Sequence, residues 1–225
     1  MADRVVFLVD VDNTLLDNDG AQQDYLTEIR RTVSAEAAKR YWQIFEELRE
    51  EAGYADYLGA LQRYRIEHRY DPRLFCVSSF LLDYPFEKRL YPGALEVIRR
   101  LRRHGTVVIL TDGDVVFQPR KVLRSGLWDA VEERVLVYVH KEQELADVER
   151  RFPARRYVMV DDKLRILAAV KGEWAGRVTT VFVRQGRYAN DPKMVDPYPP
   201  ADITLEKIAD MATLDMAAFL LGEGE

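Results

Sequence analysis

A single cysteine, Cys76, stands among the 225 residues of this chain. That excludes an internal disulfide and any metal site built on cysteine ligands. Histidine is nearly as scarce: His68, His104 and His140 share no motif and read as surface or packing residues. A metal would therefore have to rest on oxygen or on an isolated imidazole. Long apolar runs are missing too, and none approaches the roughly 18 residues that would span a bilayer. The run Val5 to Val9 is too short for the core of a signal peptide and ends in carboxylates, so no membrane partner and a cytoplasmic location are expected. Positive charge is not in excess. With 33 Lys and Arg against 38 Asp and Glu the formal charge is -5, which leaves no field to gather a nucleic acid. There is no internal repeat, low-complexity tract or Gly/Ser linker; Pro192, Pro197, Pro199 and Pro200 mark one loop near the end.

What remains is a chain long enough for one domain or slightly more, and 48% hydrophobic residues supply the core of a globular fold. Four short β-branched runs, Val5 to Val9, Val107 to Leu110, Tyr157 to Val160 and Val178 to Val183, lack polar alternation. They predict strands buried on both faces of a parallel sheet. Val135 to Val139 and Ile203 to Leu205 predict two more, the latter before a last helix. Helical patterns fall between them, such as Leu95, Ile98 and Leu101 after Pro92-Gly93, and Leu164, Leu167 and Ala168. This alternation predicts an α/β fold with a doubly wound, mostly parallel sheet. From Asp17 to about Arg89 no strand is convincing. Leu26, Ile29 and Val33, then Tyr41, Ile44, Phe45 and Leu48, fall at helical spacing, and half of the chain's aromatic residues lie here. Residues 17–89 are expected to form an inserted all-helical module, with residues 1–16 and 90–225 forming the sheet domain. Most of its aromatics are expected to fill its core.

Ligands of open parallel sheets bind beyond the carboxyl ends of the strands. Here three strand ends carry acids and hydroxyls: Asp10, Val11, Asp12, Asn13, Thr14; then Thr111, Asp112, Gly113; then Asp161, Asp162, Lys163. If these strands are neighbours, up to five carboxylates converge without an obvious local counter-charge. Such a cluster is unfavourable unless a cation neutralises it, and an oxygen-only, carboxylate-rich set suits Mg2+. Taken singly, an Asp at a strand end is more often a helix cap or turn residue. Asp112, in an Asp-Gly turn dipeptide, is the readiest example.

Asp10-Val11-Asp12-Asn13-Thr14 after a buried strand resembles the first motif, Asp-x-Asp-x-Thr, of the haloacid dehalogenase-like hydrolases. Thr111 is similar to their second motif, Lys141 to the third and Asp161-Asp162 to the fourth, acidic one. The flanks agree: Leu90-Tyr91-Pro92-Gly93-Ala94 resembles the segment re-entering the core after a helical cap, and Ala201-Asp202-Ile203 the entry to the last strand. The resemblance spans essentially the whole chain. Receiver domains, which also gather acids, a Thr and a Lys around magnesium, place their acid pair early, whereas here it comes last.

The resemblance implies a magnesium-dependent phosphatase acting through an aspartyl-phosphate. Asp10 would be the nucleophile and Asp12 the general acid and base. The metal set would draw on Asp10, Asp12 through its backbone carbonyl, Asp161 and Asp162. Thr111, Asp112, Gly113 and Lys141 would contact the substrate, with Lys121 and Lys163 as rival cations to Lys141. Dehalogenases of the superfamily lack the second acid of the first motif, because a departing halide needs no proton; Asp12 is present. A phosphonatase would need a Schiff-base lysine in the insert, and Lys39 and Lys88 are the only ones there. Two alternatives stay open, a phosphosugar mutase and a non-catalytic binding module on the same fold. The insert matches the position of the family's mobile cap, which implies a small phosphorylated substrate. Tyr54, Tyr57, Arg63, Arg65 and Arg69 are available to read it, with no basis for choosing among them. Oligomeric state is not legible.

Overall fold

The computed structural model describes residues 3–216 apart from residue 70. Six strands, β1 (Asp3–Val9), β2 (Thr106–Asp112), β3 (Val135–Tyr138), β4 (Ala154–Asp161), β5 (Val178–Val183) and β6 (Ile203–Leu205), form one parallel sheet in the order β3-β2-β1-β4-β5-β6. The predicted strands all appear, and all are parallel. Alternate residues explain the continuous apolar runs. Val5, Phe7 and Val9 enter one core with Val107, Ile109, Val158 and Val160, while Val6 and Leu8 enter the other with Val108, Leu110, Tyr157 and Met159. Both faces of the sheet are thus covered, as a parallel sheet requires.

The first core is closed by α5 (Ala94–Leu101), whose Ala94, Val97, Ile98 and Leu101 form one buried helical stripe, and by α6 (Phe117–Arg124) and the single-turn α7 (Leu127–Ala130). The second lies under α8 (Leu145–Arg151) and α9 (Leu164–Trp174). Two short helices, α10 (Gly186–Ala189) and α11 (Pro192–Val195), carry the proline-marked loop. After β6 the described residues hold a 3-10 turn at Ile208–Thr213; the remainder of the expected last helix lies outside them. No helix among the described residues is long and apolar enough to cross a membrane.

The predicted helical stretch holds α1 (Asn18–Thr32), α2 (Ala35–Ala52), α3 (Tyr57–Glu67) and α4 (Leu74–Asp83). Asp17 and Ser34 cap α1 and α2 by accepting from Gly20 N and Ala37 N, and Gly53 ends α2 in the left-handed conformation at φ 80°. Most of the aromatics do fill the core, although Phe75 is exposed. Tyr25 meets Tyr57 and Tyr84 edge-on at 5.4 and 5.1 Å, and Phe45 stacks on Tyr57 at 4.7 Å. Phe117 of α6 joins them, 5.2 Å from Tyr57, so the apolar interior of the insert is continuous with one face of the sheet. The chain enters and leaves the insert side by side: Asp17 N bonds Arg89 O and Tyr91 N bonds Leu15 O. Arg89 also binds Asp17, Asp24 and the Tyr84 hydroxyl across this junction.

Candidate active site

Strands β1, β2 and β3 run to one side of the sheet and β4, β5 and β6 to the other, so the order reverses between β1 and β4, where an open α/β sheet leaves a crevice. The register pairs Val9 with Val160, and Asp10 N donates to Val160 O at 3.0 Å, which sets Asp10 beside Asp161 and Asp162. The three carboxylates are fully buried and offer ligand atoms within 4.8 Å of one another. Asp10 Oδ2 and both oxygens of Asp162 have no hydrogen-bond partner.

The other two acids stand apart, so three carboxylates converge rather than five, and cations are present that the sequence did not reveal as neighbours. Lys141, also buried, follows β3 and puts its ammonium 2.5 Å from Asp10 Oδ1, 2.7 Å from Asp161 Oδ2 and 3.2 Å from Leu110 O. Burial works against its charge, but Asp10, Asp161 and Asp112 outweigh that and raise its pKa well above the ordinary lysine value. Burial drives Asp161 up to about 6 despite Lys141, and pushes Asp162 well above the usual carboxylate range. Asp161 Oδ1 also accepts from Lys163 N at 2.9 Å. Asp112 is raised by burial and accepts from Lys141 N at 2.8 Å, holding the backbone turn that delivers Lys141. Gly113 serves the same turn: its amide donates to Tyr138 O, and a side chain on it would collide with Gln118.

Asp12 lies one turn beyond Asp10 and is partly open. Lys121 Nζ reaches its two oxygens at 2.7 and 2.8 Å and Asn18 Oδ1 at 3.1 Å. Gln118 Nε2 donates to Asp12 Oδ2 at 3.3 Å and to Thr111 Oγ1 at 2.8 Å, so Thr111, Gln118 and Asp12 are tied together. Thr14 is buried with its hydroxyl unpartnered, and Asn13 adopts φ 61° with its Oδ1 accepting from Asn18 N and Asp19 N.

A cavity of about 440 Å3 opens above these strand ends. Asp12, Asp112 and Asp162 lie on its sheet side, and Asn18, Gln22, Arg49 and Tyr54 come from the insert. Of the aromatic and basic insert residues singled out from sequence, only Tyr54 reaches this cavity. Tyr57 is buried beside Lys121, Arg63 pairs with Glu51, and Arg65 and Arg69 line a separate groove between α3 and α4. Lys39 and Lys88 are exposed, as are His68 and His104. His140, in contrast, lines the cavity and contacts Gly53 of the insert. Sequence reasoning missed Arg49, whose guanidinium donates to the Tyr188 hydroxyl at 2.6 Å, and Arg187, which lies over the Tyr188 ring. It also gave Gln118 no role, although two polar residues, Gln118 and Lys121, on the buried face of a helix opening after Thr111 were the available signal.

A family model of haloacid dehalogenase-like hydrolases matches residues 5–172. Comparison with proteins of curated function gives no match. Among solved structures, a protein described as a haloacid dehalogenase-like hydrolase from Burkholderia xenovorans LB400 is 61% identical, with 94% of this chain and 98% of that chain covered and a TM-score of 0.89. Two more distant structures share the fold. One is the HAD-hydrolase YfnB of Bacillus subtilis, solved bound to magnesium, at 17% identity over 93% and 97% of the two chains with a TM-score of 0.59. The other is the L-2-haloacid dehalogenase of Xanthobacter autotrophicus, at 16% identity, the same coverages and a TM-score of 0.61.

Proposed function

This chain belongs to the haloacid dehalogenase-like hydrolases, and from that premise we propose that it is a magnesium-dependent phosphatase of small phosphate monoesters. The observation that carries the reading is the trio Asp10, Asp161 and Asp162, buried together with three of its oxygens unpartnered. Buried, unpaired carboxylate oxygens are expensive, and a divalent cation would relieve them. The donor set is all oxygen and mostly anionic, which fits magnesium. Asp10, the backbone carbonyl of Asp12 and Asp162 would hold it. Asp162 is favoured over Asp161 as the direct ligand because Asp161 Oδ2 is ion-paired with Lys141 at 2.7 Å and its Oδ1 accepts from Lys163 N, whereas neither oxygen of Asp162 has a partner. Bound there, the ion would offset charge on the phosphoryl oxygens.

The protein's own groups supply the rest. Asp10 is the nucleophile, oriented by the Lys141 ammonium 2.5 Å from its Oδ1. Its carboxylate oxygen bonds to phosphorus as the ester oxygen leaves with the electron pair of the broken bond and takes a proton from Asp12. Asp12 then accepts a proton from the water that attacks the aspartyl-phosphate, and phosphate leaves as Asp10 recovers its carboxylate. Thr111 and Lys141 contact the equatorial oxygens. The helices from Asn18 to Asp83 act as a cap that excludes water during the first step, and the cavity lining from Asn18, Gln22, Arg49 and Tyr54 meets the leaving group. The presence of Asp12 speaks against dehalogenation, where the leaving group needs no proton.

The test is phosphate release from a panel of phosphorylated small molecules with and without magnesium, beside an Asp10→Asn control. Magnesium-dependent turnover that disappears in the control is expected. No turnover from folded protein on any ester would overturn the reading and favour a mutase or a non-catalytic module.

A further inference from the structure

Lys121 is as deeply buried as Lys141 but answers to none of the four motifs. Its ammonium places all its hydrogen bonds on Asp12 and Asn18, and the rings of Tyr57 and Phe117 flank it at 5.9 and 5.8 Å. Packing alone does not require it. The buried face of α6 is otherwise built on Phe117, Gln118 and Val122, and an apolar side chain in place of Lys121 would fill the same space without removing an ammonium from water. Asp12 lies beyond the end of β1, outside the sheet ladder, so its side-chain orientation comes from Lys121 and Gln118 rather than from the strand. Asn18 and Tyr57, which complete the seat of Lys121, both belong to the insert.

We propose that Lys121 is a positioning residue that aims the carboxyl group of Asp12 at the leaving-group side of the site, in a seat completed only when the insert covers the strand ends. The inference rests on the reading of Asp12 as acid and base. In the first step the bond from phosphorus to the leaving oxygen breaks, and that oxygen keeps the electron pair and receives the proton of Asp12. Asp12 is left as a carboxylate whose two oxygens the Lys121 ammonium already addresses. Lys121 transfers no proton itself. Without it Asp12 would keep only the 3.3 Å hydrogen bond from Gln118, and the loss would be felt in proportion to how much the leaving group needs a proton.

Leaving-group dependence separates this role from simple support of the fold. The measurement is kcat/KM for a series of phosphate monoesters from alkyl to nitrophenyl, with wild type, Lys121→Met, Asp12→Asn and the double variant, each shown to be folded by circular dichroism. Lys121→Met should lower kcat/KM about 100-fold for the alkyl esters and about 3-fold for the nitrophenyl ester. The dependence on leaving-group pKa then steepens toward that of Asp12→Asn, and Lys121→Met adds little in the Asp12→Asn background. If the methionine variant does not fold, Lys121→Gln, which keeps a donor without the charge, takes its place with the same expectation. A uniform fall with unchanged dependence, or full additivity with Asp12→Asn, would overturn the proposal. An Asp12→Asn variant whose dependence matches wild type would instead overturn the acid role of Asp12, and a wild type inactive on every ester the phosphatase reading, and the proposal with either.

Discussion

Replacing Lys141 by methionine keeps the volume of the side chain and removes the charge held between Asp10 and Asp161. The three side chains are 1%, 4% and 0% exposed, so water cannot take over the role of the ammonium. Removing one partner of a buried pair costs about 3–5 kcal/mol, and for a chain of this length each kcal/mol shifts Tm by roughly 2–4 °C. A fall of roughly 6–20 °C is therefore expected in metal-free protein near pH 8. The loss should shrink on acidification. Asp161 already lies at about 6 in the folded protein against an ordinary 3.8, and without Lys141 it must rise further. Between those values the folded variant binds a proton that the unfolded chain does not, so its stability increases as pH falls. Urea unfolding in EDTA, followed by fluorescence of Trp42, Trp128 and Trp174, at pH 8 and pH 5 measures both effects. A cost below about 1 kcal/mol at pH 8, or the same cost at both pH values, would refute the reasoning that Lys141 neutralises buried carboxylates.

Magnesium should raise the Tm of the wild type more at pH 8 than at pH 5, because burial raises Asp161 and Asp162 and protons compete with the cation at the lower pH; thermal shift with and without the ion checks it. Gly53→Ala forces a side chain into φ 80° and to within 2.7 Å of His140, so about 1 kcal/mol of stability is lost and KM rises. In a His140→Ala background the KM effect should vanish while the backbone effect persists. Arg49→Gln removes the 2.6 Å hydrogen bond to the Tyr188 hydroxyl in the cavity lining, leaves that from Arg187 and touches none of the strand-end carboxylates; it is expected to raise KM several-fold with kcat within about 2-fold of wild type, read from steady-state kinetics.

The sheet was legible because burial on both faces leaves an unbroken β-branched run, and Val178 to Val183 and Ile203 to Leu205 were delimited to the residue. Asp10, Asp161 and Asp162 were legible for a related reason: a parallel sheet puts its chemistry where apolar runs stop, and Asp10 stops one such run and the pair Asp161-Asp162 another. The charge balance was not. Whether Lys141, Lys121 or Lys163 reaches a given carboxylate depends on loop and helix geometry after the strands, which local pattern does not encode. Lys141 lies in a 3-10 turn, Lys141–Gln143, held by Asp112, and its burial follows from that turn rather than from its neighbours in sequence. The cavity lining was hardest to read. Arg49 and Tyr188 are separated by 139 positions and meet only because α2 folds back over the loop after β5, while Arg63 and Arg65, equally basic and on a similar helix, face away.

The side-by-side entry and exit of the insert, Leu15 to Asp17 bonded to Arg89 to Tyr91, also bears on how the sheet is assembled. The central strand β1 must find β2 and β4, which lie far along the chain, and contacts of that range slow folding because the intervening loop has to close first. Once the insert is folded its two ends are already hydrogen-bonded neighbours, so the gap that β1 and β2 must close shrinks to residues 10–16 and 90–105, the latter holding α5. The insert then works as a folded clasp that shortens a distant strand pairing to the span of an ordinary strand–helix–strand crossover. The same geometry makes its length almost irrelevant to the sheet, since the entropy of a closed loop grows only with the logarithm of its size.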